Sequence, residues 1–310
     1  MTSLLDRYNG CLIGLAIGDA LGAPVEFKKA GEFKPVSTFE SGGSFNLSAG
    51  QWTDDTSMAL CLAASLLEKA AFDPIDQLER YVKWYREGYM SSTGHCFDIG
   101  TTTEAALKEF ESTRQPYRDA ASLPKASNGS IMRLAPVVLA FRQNPQTAIH
   151  FCGLSSKTTH PAKDSVDACR YLGALMWGAI NGEKKEFLLS KNFFPLLEKS
   201  NDEPLSASIQ AIAAGSFKKK NPPDIIGTTY ATDCLEAALW AFYHTTDFEH
   251  GCLKAVNLGD DADTTGAVYG QIAGSFYGFQ NIPPEWREGL FASKLITDTA
   301  MKLLQLSNEL

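Results

Sequence analysis

Apolar residues recur every three or four positions along almost the whole of this 310-residue chain, whereas alternating runs of Val, Ile and Thr are nearly absent. The first spacing places apolar side chains on one face of a helix, and alternation would place them on one face of a strand. The chain is therefore predicted to be all-α. Because internal repeats and low-complexity linkers are absent, residues 1–310 are expected to form a single domain.

Helix boundaries are predicted from Ser, Thr, Asp or Pro at helix starts and Gly after helix ends. The expected helices span 4–21, 55–70, 74–90, 101–111, 130–141, 145–155, 161–181, 187–198, 205–217, 232–243, 248–258, 264–277 and 290–306. Residues 28–50 form the longest irregular segment. Loops of this length in small domains usually serve a function.

Composition excludes two classes of partner. With 28 Lys and Arg against 36 Asp and Glu, the net charge of −8 disfavours nucleic acid, which is bound chiefly by basic side chains. No run of apolar residues reaches the roughly 20 that a membrane helix needs. The seven cysteines form no CxxC pair and are odd in number, as is typical of reduced thiols, so a cytoplasmic location is expected.

Two acidic clusters lie where loops meet apolar helices. The first contains Asp54 and Asp55, and the second contains Asp260, Asp261 and Asp263. Each cluster alone fits a helix cap with first-turn acids. Together, however, so many adjacent carboxylates are costly without a cation, and Mg²⁺ and Mn²⁺ prefer oxygen ligands. The pattern therefore favours a divalent metal centre, and the scattered histidines and cysteines argue against zinc.

A glycine-containing loop precedes the predicted helix at 130–141 and has the features of an anion site. Free backbone N–H groups and the helix dipole there would face a diphosphate, with Asn128, Gly129 and Ser130 as expected contacts. Ordinary capping by Ser127 or Ser130 is the alternative. Arg133 is left out of the contact set, because an internal ion pair explains it equally well.

Several motifs of this chain resemble those of the ADP-ribosylglycohydrolase family, in the family's order and over almost the whole chain. They are 14–22 (GLAIGDALG), Glu26, 52–56 (WTDDT), 98–100 (DIG), 127–133 (SNGSIMR), 159–161 (THP) and 260–264 (DDADT). The resemblance implies a compact all-α fold, a single-domain orthogonal helical bundle, with two Mg²⁺ or Mn²⁺ ions in a cleft. It also implies hydrolysis of the bond between ADP-ribose and an acceptor side chain.

The family pattern further implies a set of metal ligands. These are Thr53, Asp54, Asp55, Asp261, Asp263 and Thr264. Asp260 stands where relatives often have Gly, so it is counted as a neighbour of the ligands. The ions are expected to bind the ribose hydroxyls and to lower the pKa of an attacking water.

The resemblance also implies roles around the metals. Glu26 matches a glutamate that serves as a gate or general base, and Asp98, followed by the permissive Gly100, matches a residue that orients the ribose or the water. Glu26, Asp55 and Asp98 are the expected catalytic residues. His160 matches a position near the distal ribose or adenine, although a structural histidine is an equally good interpretation. Ser127 completes the expected ADP-ribose contacts.

The expected function is removal of ADP-ribose from a modified protein, with the N-linked arginine adduct favoured. The substrate would be an ADP-ribosylated protein and the product ADP-ribose. Two alternatives stay open. The chain would instead hydrolyse O-linked ADP-ribose on serine or a small molecule, or it would act as a binding or immunity protein that blocks an ADP-ribosylating toxin.

Overall fold

The fold is all-α, as the apolar spacing predicts. The structure is a computed structural model that describes residues 2–117, 126–194 and 203–310. The described residues form fourteen α-helices, and apart from isolated bridges they contain no strand. None of these helices is long and apolar enough to cross a membrane.

The α-helices are numbered along the chain. They are α1 (Leu4–Gly22), α2 (Asp54–Lys69), α3 (Pro74–Glu87), α4 (Thr101–Thr113), α5 (Ala135–Ala140), α6 (Pro145–Lys157), α7 (Lys163–Ile180), α8 (Lys185–Leu188), α9 (Ala207–Ala213), α10 (Ala231–Tyr243), α11 (Phe248–Val256), α12 (Ala262–Tyr277), α13 (Pro284–Gly289) and α14 (Ser293–Ser307).

The helix predicted for residues 130–141 starts later than expected. Residues 130–133 form turns, and α5 begins only at Ala135 with Pro136 in its first turn. Proline lacks a backbone N–H and is tolerated at a helix start, whereas a helix beginning at Ser130 would place Pro136 in its interior. The predicted helix start beside the 127–130 loop is therefore wrong.

Other boundaries differ for similar local reasons. The helix predicted for 205–217 ends at Ala213, because Gly215 adopts a left-handed backbone with φ of 95°. Of the helix predicted for 187–198, only residues 187 and 188 lie in α8, and residues 189–193 form turns and a bend, so the prediction is wrong there; residues 195–198 lie outside the described residues. The short helix α13 was not predicted.

The first helix and α12 pack backbone against backbone at the centre of the bundle. A Cβ atom added at Gly18 would lie 1.9 Å from the carbonyl oxygen of Gly266, and one added at Gly266 would lie 2.3 Å from that of Gly18. The same close approach recurs one turn apart at Gly14 with Gly270 and again at Gly10 with Gly274. This contact brings the end of α1 against the start of α12, where the second acidic cluster lies.

Candidate metal centre and binding cleft

Asp19 joins α1 to the first turn of α2. Its Oδ1 accepts a hydrogen bond from the backbone N–H of Thr53 at 2.8 Å, and its Oδ2 accepts from the N–H and hydroxyl of Thr56 at 3.0 and 2.6 Å. The carboxylate thereby satisfies N–H groups that have no partner within α2. Sequence reasoning missed Asp19, although a single acid inside the apolar run 11–21 was the signal, since a buried carboxylate needs donors.

The two acidic clusters meet at the starts of α2 and α12. The hydroxyl of Thr53 lies within hydrogen-bonding distance of Asp55 Oδ2 (3.1 Å) and of Asp263 Oδ2 (3.3 Å), although Thr53 and Asp263 are 210 residues apart. At the second helix start, Asp263 Oδ1 accepts from the backbone N–H of Thr264 at 2.8 Å. Residues from both ends of the chain therefore form one polar cluster.

Two triads of carboxylates fit a cation. Oxygens of Asp19, Asp55 and Asp263 lie within 4.8 Å of one another, as do oxygens of Glu26, Asp261 and Asp263. Asp55 Oδ1 and Glu26 Oε2 are buried and accept no hydrogen bond from the described part of the chain. Hard divalent cations such as Mg²⁺ and Mn²⁺ prefer ligands of this kind: buried carboxylate oxygens, two of which accept no hydrogen bond from the described residues. The residues present therefore fit the metal that the sequence implies.

Burial shifts the pKa of these carboxyls upward. It raises the pKa of Asp54, with Asp98 as the next cause, and that of Asp55, with Asp19 as the next cause. The pKa of Asp263 is also raised by burial first and by the charge of Glu26 second. Without a cation, each of these groups therefore favours its protonated form more than it would in water.

The same causes act on the carboxyls nearer the cleft. Burial, followed by repulsion from Asp98 and Asp261, raises the pKa of Glu26 to about 10. Burial and the charges of Asp261 and Asp19 raise the pKa of Asp98 to about 8, against a lowering hydrogen bond with Glu26. The charge of Asp98 is thus one cause of the raised pKa of Glu26, and both groups lie beside the acidic clusters.

A cleft of about 360 Å³ opens over these carboxylates. Most of the predicted site residues line it: Glu26, Asp54, Asp98, Gly100, Ser127, Asn128, Gly129, His160, Asp261, Asp263 and Thr264. Thr53 and Asp55 lie beneath it, fully or almost fully buried. The structure therefore brings the predicted residues together, with one exception on the 127–130 loop.

That exception is Ser130. Its hydroxyl lies behind the loop, where it accepts from Ser156 at 2.8 Å and lies 3.4 Å from the Cys169 sulfur. Asn128 also differs from its expected use, because its side-chain amide donates to Asp261 Oδ2 at 2.5 Å and its backbone N–H donates to Thr229 at 3.0 Å. Asn128 thus orients an acidic residue, and the loop turns its Gly129 toward the cleft.

Besides α2 and α12, helix α4 also begins at the cleft. Its capping residue Gly100 and its first three residues, Thr101, Thr102 and Thr103, all line the cleft, and no side chain caps this helix. The N–H groups of a first turn lack helical partners and carry partial positive charge. The helix dipole that was predicted for the 127–130 loop is therefore supplied to the cleft by α4.

The residue before this turn adopts an unusual backbone. Asp98 has φ of 57°, in the left-handed region that non-glycine residues rarely occupy. Phe27 has φ of 65° and is 63% exposed at the edge of the same cleft. Its backbone N–H donates to the backbone carbonyl oxygen of Asp260 at 2.7 Å. Strained backbones of this kind concentrate at functional sites.

Comparisons with known proteins identify the family of this chain. A sequence model of the ADP-ribosylglycohydrolase family matches residues 1–309. A protein described as ADP-ribosylarginine hydrolase Tri1 from Serratia proteamaculans (strain 568) is 38% identical over 305 residues, which are 98% of this chain and 81% of the relative. A protein of the same description from Pseudomonas putida (strain GB-1) is 40% identical over 300 residues, covering 96% of this chain and 78% of the relative.

A solved structure has the same fold. It is described as an ADP-ribosylglycohydrolase-related protein complex, and it matches with a TM-score of 0.86 at 40% sequence identity. The match covers 99% of this chain and 100% of the solved chain. The resemblance that the sequence motifs indicate is confirmed, and the chain belongs to the ADP-ribosylglycohydrolase family.

Proposed function

We propose that this protein hydrolyses the N-glycosidic bond between ADP-ribose and an arginine side chain, and so reverses mono-ADP-ribosylation of a protein. The observation that carries the proposal is the convergence of the acids from residues 53–55 and 261–264 beneath a cleft edged by Glu26 and Asp98. Arginine is favoured as acceptor because two relatives, 38% and 40% identical to this chain, are described as ADP-ribosylarginine hydrolases. Residues 1–310 would act as one domain, since both ends contribute to the site.

Two divalent cations, Mg²⁺ or Mn²⁺, complete the proposed site. Their ligands would be Thr53, Asp54, Asp55, Asp261, Asp263 and Thr264. When bound, the ions supply Lewis-acid polarisation of the ribose hydroxyls and make a water more acidic. Two observations support these ligands: the candidate ligand atoms are all oxygens, and two of the buried carboxylate oxygens accept no hydrogen bond from the described residues.

The side chains then divide the chemistry. Glu26 Oε2, which accepts no hydrogen bond from the described residues, would accept a proton from the attacking water. As the water oxygen bonds to ribose C1, the bond from C1 to the guanidine nitrogen would break, and that nitrogen would take up the proton that Glu26 received from the water. Asp98, which lines the same cleft as Glu26, would orient the ribose or the water. Asp55 would be an ionised carboxylate at the base of the site, beneath the cleft.

The rest of ADP-ribose would extend along the cleft. The first turn of α4 and the backbone at Ser127 and Gly129 offer N–H groups to a diphosphate. His160 lies farther along the same lining and would contact the distal ribose or adenine. The product would be free ADP-ribose. A cytoplasmic location is proposed because the described cysteines are free thiols.

The test is release of ADP-ribose from arginine-linked and serine-linked ADP-ribosyl peptides, each with Mn²⁺, with Mg²⁺ and with EDTA. We expect release from the arginine-linked peptide only when a divalent cation is present. Asp263→Ala and Asp54→Ala should abolish turnover and keep the helical circular dichroism signal, whereas Asp298→Ala, on the surface of α14, should keep both. Full activity of Asp263→Ala in EDTA would refute the metal assignment.

A second function, binding and blocking an ADP-ribosylating toxin, is supported by the exposed aromatic ring of Phe27 at the cleft edge, which packs against Phe45 from the 28–50 loop with ring centroids 6.5 Å apart. Exposed aromatic residues are common anchors of protein interfaces. A catalytically inactive Asp263→Ala that still protects cells from such a toxin would support this role. Loss of protection in that variant would assign protection to hydrolysis.

A further inference from the structure

Phe27 is the most exposed large apolar side chain of the described residues. Its exposed fraction is 63%, and no other large apolar residue in the described ranges exceeds 48%. A single exposed ring on a protein surface needs no explanation in itself. This ring, however, lines the cleft and follows directly after the buried Glu26. Its place at the cleft edge therefore suggests contact with a ligand.

The backbone holds the ring at this edge in a strained conformation. Phe27 has φ of 65°, in the left-handed region that a non-glycine residue rarely occupies. Two hydrogen bonds stabilise it: the N–H of Phe27 donates to the carbonyl oxygen of Asp260 at 2.7 Å, and the N–H of Asp260 donates to that of Lys28 at 2.7 Å. The position of Phe27 is therefore tied to the segment that leads into the second acidic cluster.

Two further rings support Phe27. The rings of Phe27 and Phe45 meet edge to face, with centroids 6.5 Å apart, and the centroid of Phe45 lies 5.3 Å from that of Phe97. Phe97 directly precedes Asp98 in the sequence, as Phe27 directly follows Glu26. The row of three rings thus connects the two segments that carry carboxyls at the cleft edge. Because the contact with Phe45 is edge to face, much of the Phe27 ring stays open to a ligand.

The charges of the cleft favour a cation beside this ring. The described residues that line the cleft include five acids and no lysine or arginine. Three of the five are proposed metal ligands, and the other two are Glu26 and Asp98. Since two divalent ions would balance the four carboxylates among the proposed ligands, these two acids carry the negative charge nearest to the ring that the metals leave unbalanced. Carboxylates attract a cation, and the face of an aromatic ring does so as well.

An arginine-linked substrate places such a cation next to the reacting atoms. The bond to be broken joins ribose C1 to a guanidine nitrogen, so the guanidinium group lies immediately beyond C1. With C1 over the metal ligands, the guanidinium and the methylenes behind it must extend toward the cleft edge. A guanidinium is planar and charged, and it stacks on aromatic faces. A serine-linked substrate has a neutral methylene there and would gain no such attraction.

We propose that Phe27 is an acceptor-binding residue, whose ring stacks on the guanidinium of the ADP-ribosylated arginine and so favours arginine over neutral acceptors. The proposal rests on the proposed function, because it takes arginine as the acceptor. It assigns to the ring a part in binding and none in proton transfer.

The test separates the guanidinium from the rest of the substrate. Phe27→Leu removes the ring and keeps an apolar side chain, whereas Phe27→Tyr keeps a ring, and neither new residue is β-branched, so both tolerate φ of 65° as well as Phe does. With ADP-ribosylarginine as substrate and Mn²⁺ present, we expect KM to rise about 3–10-fold in Phe27→Leu with kcat nearly unchanged, and to stay near the wild-type value in Phe27→Tyr. The Kd for ADP-ribose, which lacks the guanidinium, should be unchanged in both variants by calorimetry.

Phe187→Leu is the matched control. Phe187 lies on α8, is 37% exposed and also meets a neighbouring ring edge to face, that of Phe193, with centroids 5.4 Å apart. It does not line the cleft, so KM and Kd should both stay at the wild-type values. Should Phe27→Leu not fold, Phe27→Met makes the same comparison with another unbranched apolar side chain.

Three results would count against the proposal. A wild-type KM in Phe27→Leu, or a Kd for ADP-ribose that rises by the same factor as KM, would overturn it. A KM that rises for an ADP-ribosylated peptide but not for ADP-ribosylarginine would overturn it too, and would assign Phe27 to contact with the protein partner. A wild-type protein that releases no ADP-ribose from ADP-ribosylarginine would refute the proposed function itself, and with it the acceptor on which this inference rests.

Discussion

The side-chain amide of Asn128 donates to Oδ2 of Asp261 at 2.5 Å and so connects two loops that are 133 residues apart in sequence. The connection is reinforced by backbone hydrogen bonds, from Asn128 to Thr229 at 3.0 Å and from Asp261 to Gly227 at 2.8 Å. The loop at 126–130 and the segment 227–231 thereby hold Asp261 from two sides. A candidate metal ligand is thus oriented by a neutral donor that does not itself need to touch a metal.

Removing this donor should weaken metal binding. In Asn128→Ala the carboxylate of Asp261 loses its orienting hydrogen bond, and we expect the affinity for Mn²⁺ to fall about 10–100-fold, the usual effect of losing a partner of a metal ligand. Calorimetric titration of the metal-free protein measures the affinity. Asn144→Ala, which removes a side-chain cap of α6, is the control and should leave Mn²⁺ affinity unchanged. Equal affinities in both variants would show that Asn128 does not support the ligand.

The packing of α1 on α12 should tolerate no side chain at Gly18. A methyl group there would meet the backbone of Gly266 at 1.9 Å, so Gly18→Ala should lower the free energy of unfolding by about 3 kcal/mol or more. Gly153→Ala, within α6, is a matched control, because its Cβ would meet only side-chain atoms at 3.3–3.5 Å. That variant should be unchanged or more stable by up to about 1 kcal/mol. Urea denaturation measures both, and equal losses would disprove the packing argument.

The acidic clusters and the fold class were predictable because both depend on local patterns. Asp54 and Asp263 stand next to strongly apolar helices, and a helix start is visible from its own residues. Glycine at every fourth position in 10–22 and 266–274 is equally visible, but which two helices pack together depends on the whole bundle. The role of Asn128 was not predictable, since its partner is set by a loop 133 residues away.

The predicted start of α5 at residue 130, five residues before its actual start, was wrong for a different reason. Pro136 was present in the sequence, and its missing N–H argues against a helix that starts at 130. The apolar spacing outweighed that signal in the prediction, because spacing cannot distinguish a turn-rich buried segment from a helix. As a result the helix dipole was assigned to the loop at 127–130 and not to α4.

Asp19 should be essential to the geometry of the α2 start. In Asp19→Asn one carboxylate oxygen is replaced by an NH₂ group that cannot accept, so the backbone N–H of either Thr53 or Thr56 loses its buried partner, at a cost of about 1–3 kcal/mol. We expect lower stability in urea and weaker Mn²⁺ binding together. Asp76→Asn on α3, which loses an ion pair with Arg80, is the control and should affect stability alone. Unaltered Mn²⁺ affinity in Asp19→Asn would separate Asp19 from the metal centre.

Removal of metal should make stability depend on pH in a defined direction. In the metal-free protein, burial raises the pKa of Asp19 to about 6, of Asp98 to about 8 and of Glu26 to about 10. The unfolded values lie near 4, so above pH ~4 the folded state binds more protons than the unfolded state. The stability that these groups contribute is complete below pH ~4 and is lost as pH rises through the folded pKa values. In EDTA, the melting temperature should therefore fall between pH 5 and pH 8.5.

Mn²⁺ should reduce this fall or reverse it, because a cation replaces the bound protons and binds the folded state more tightly as the carboxyls ionise. Calorimetric scans with EDTA and with Mn²⁺ across pH 5–8.5 measure both slopes. His250, whose pKa is raised by a hydrogen bond with Asp247, contributes a change of the same sign, so both scans use the His250→Gln background. In that background Asp98→Asn should flatten the slope in EDTA, since one raised group no longer titrates. A melting temperature in EDTA that rises from pH 5 to 8.5 would contradict the raised pKa values of Asp19, Asp98 and Glu26 in the metal-free protein.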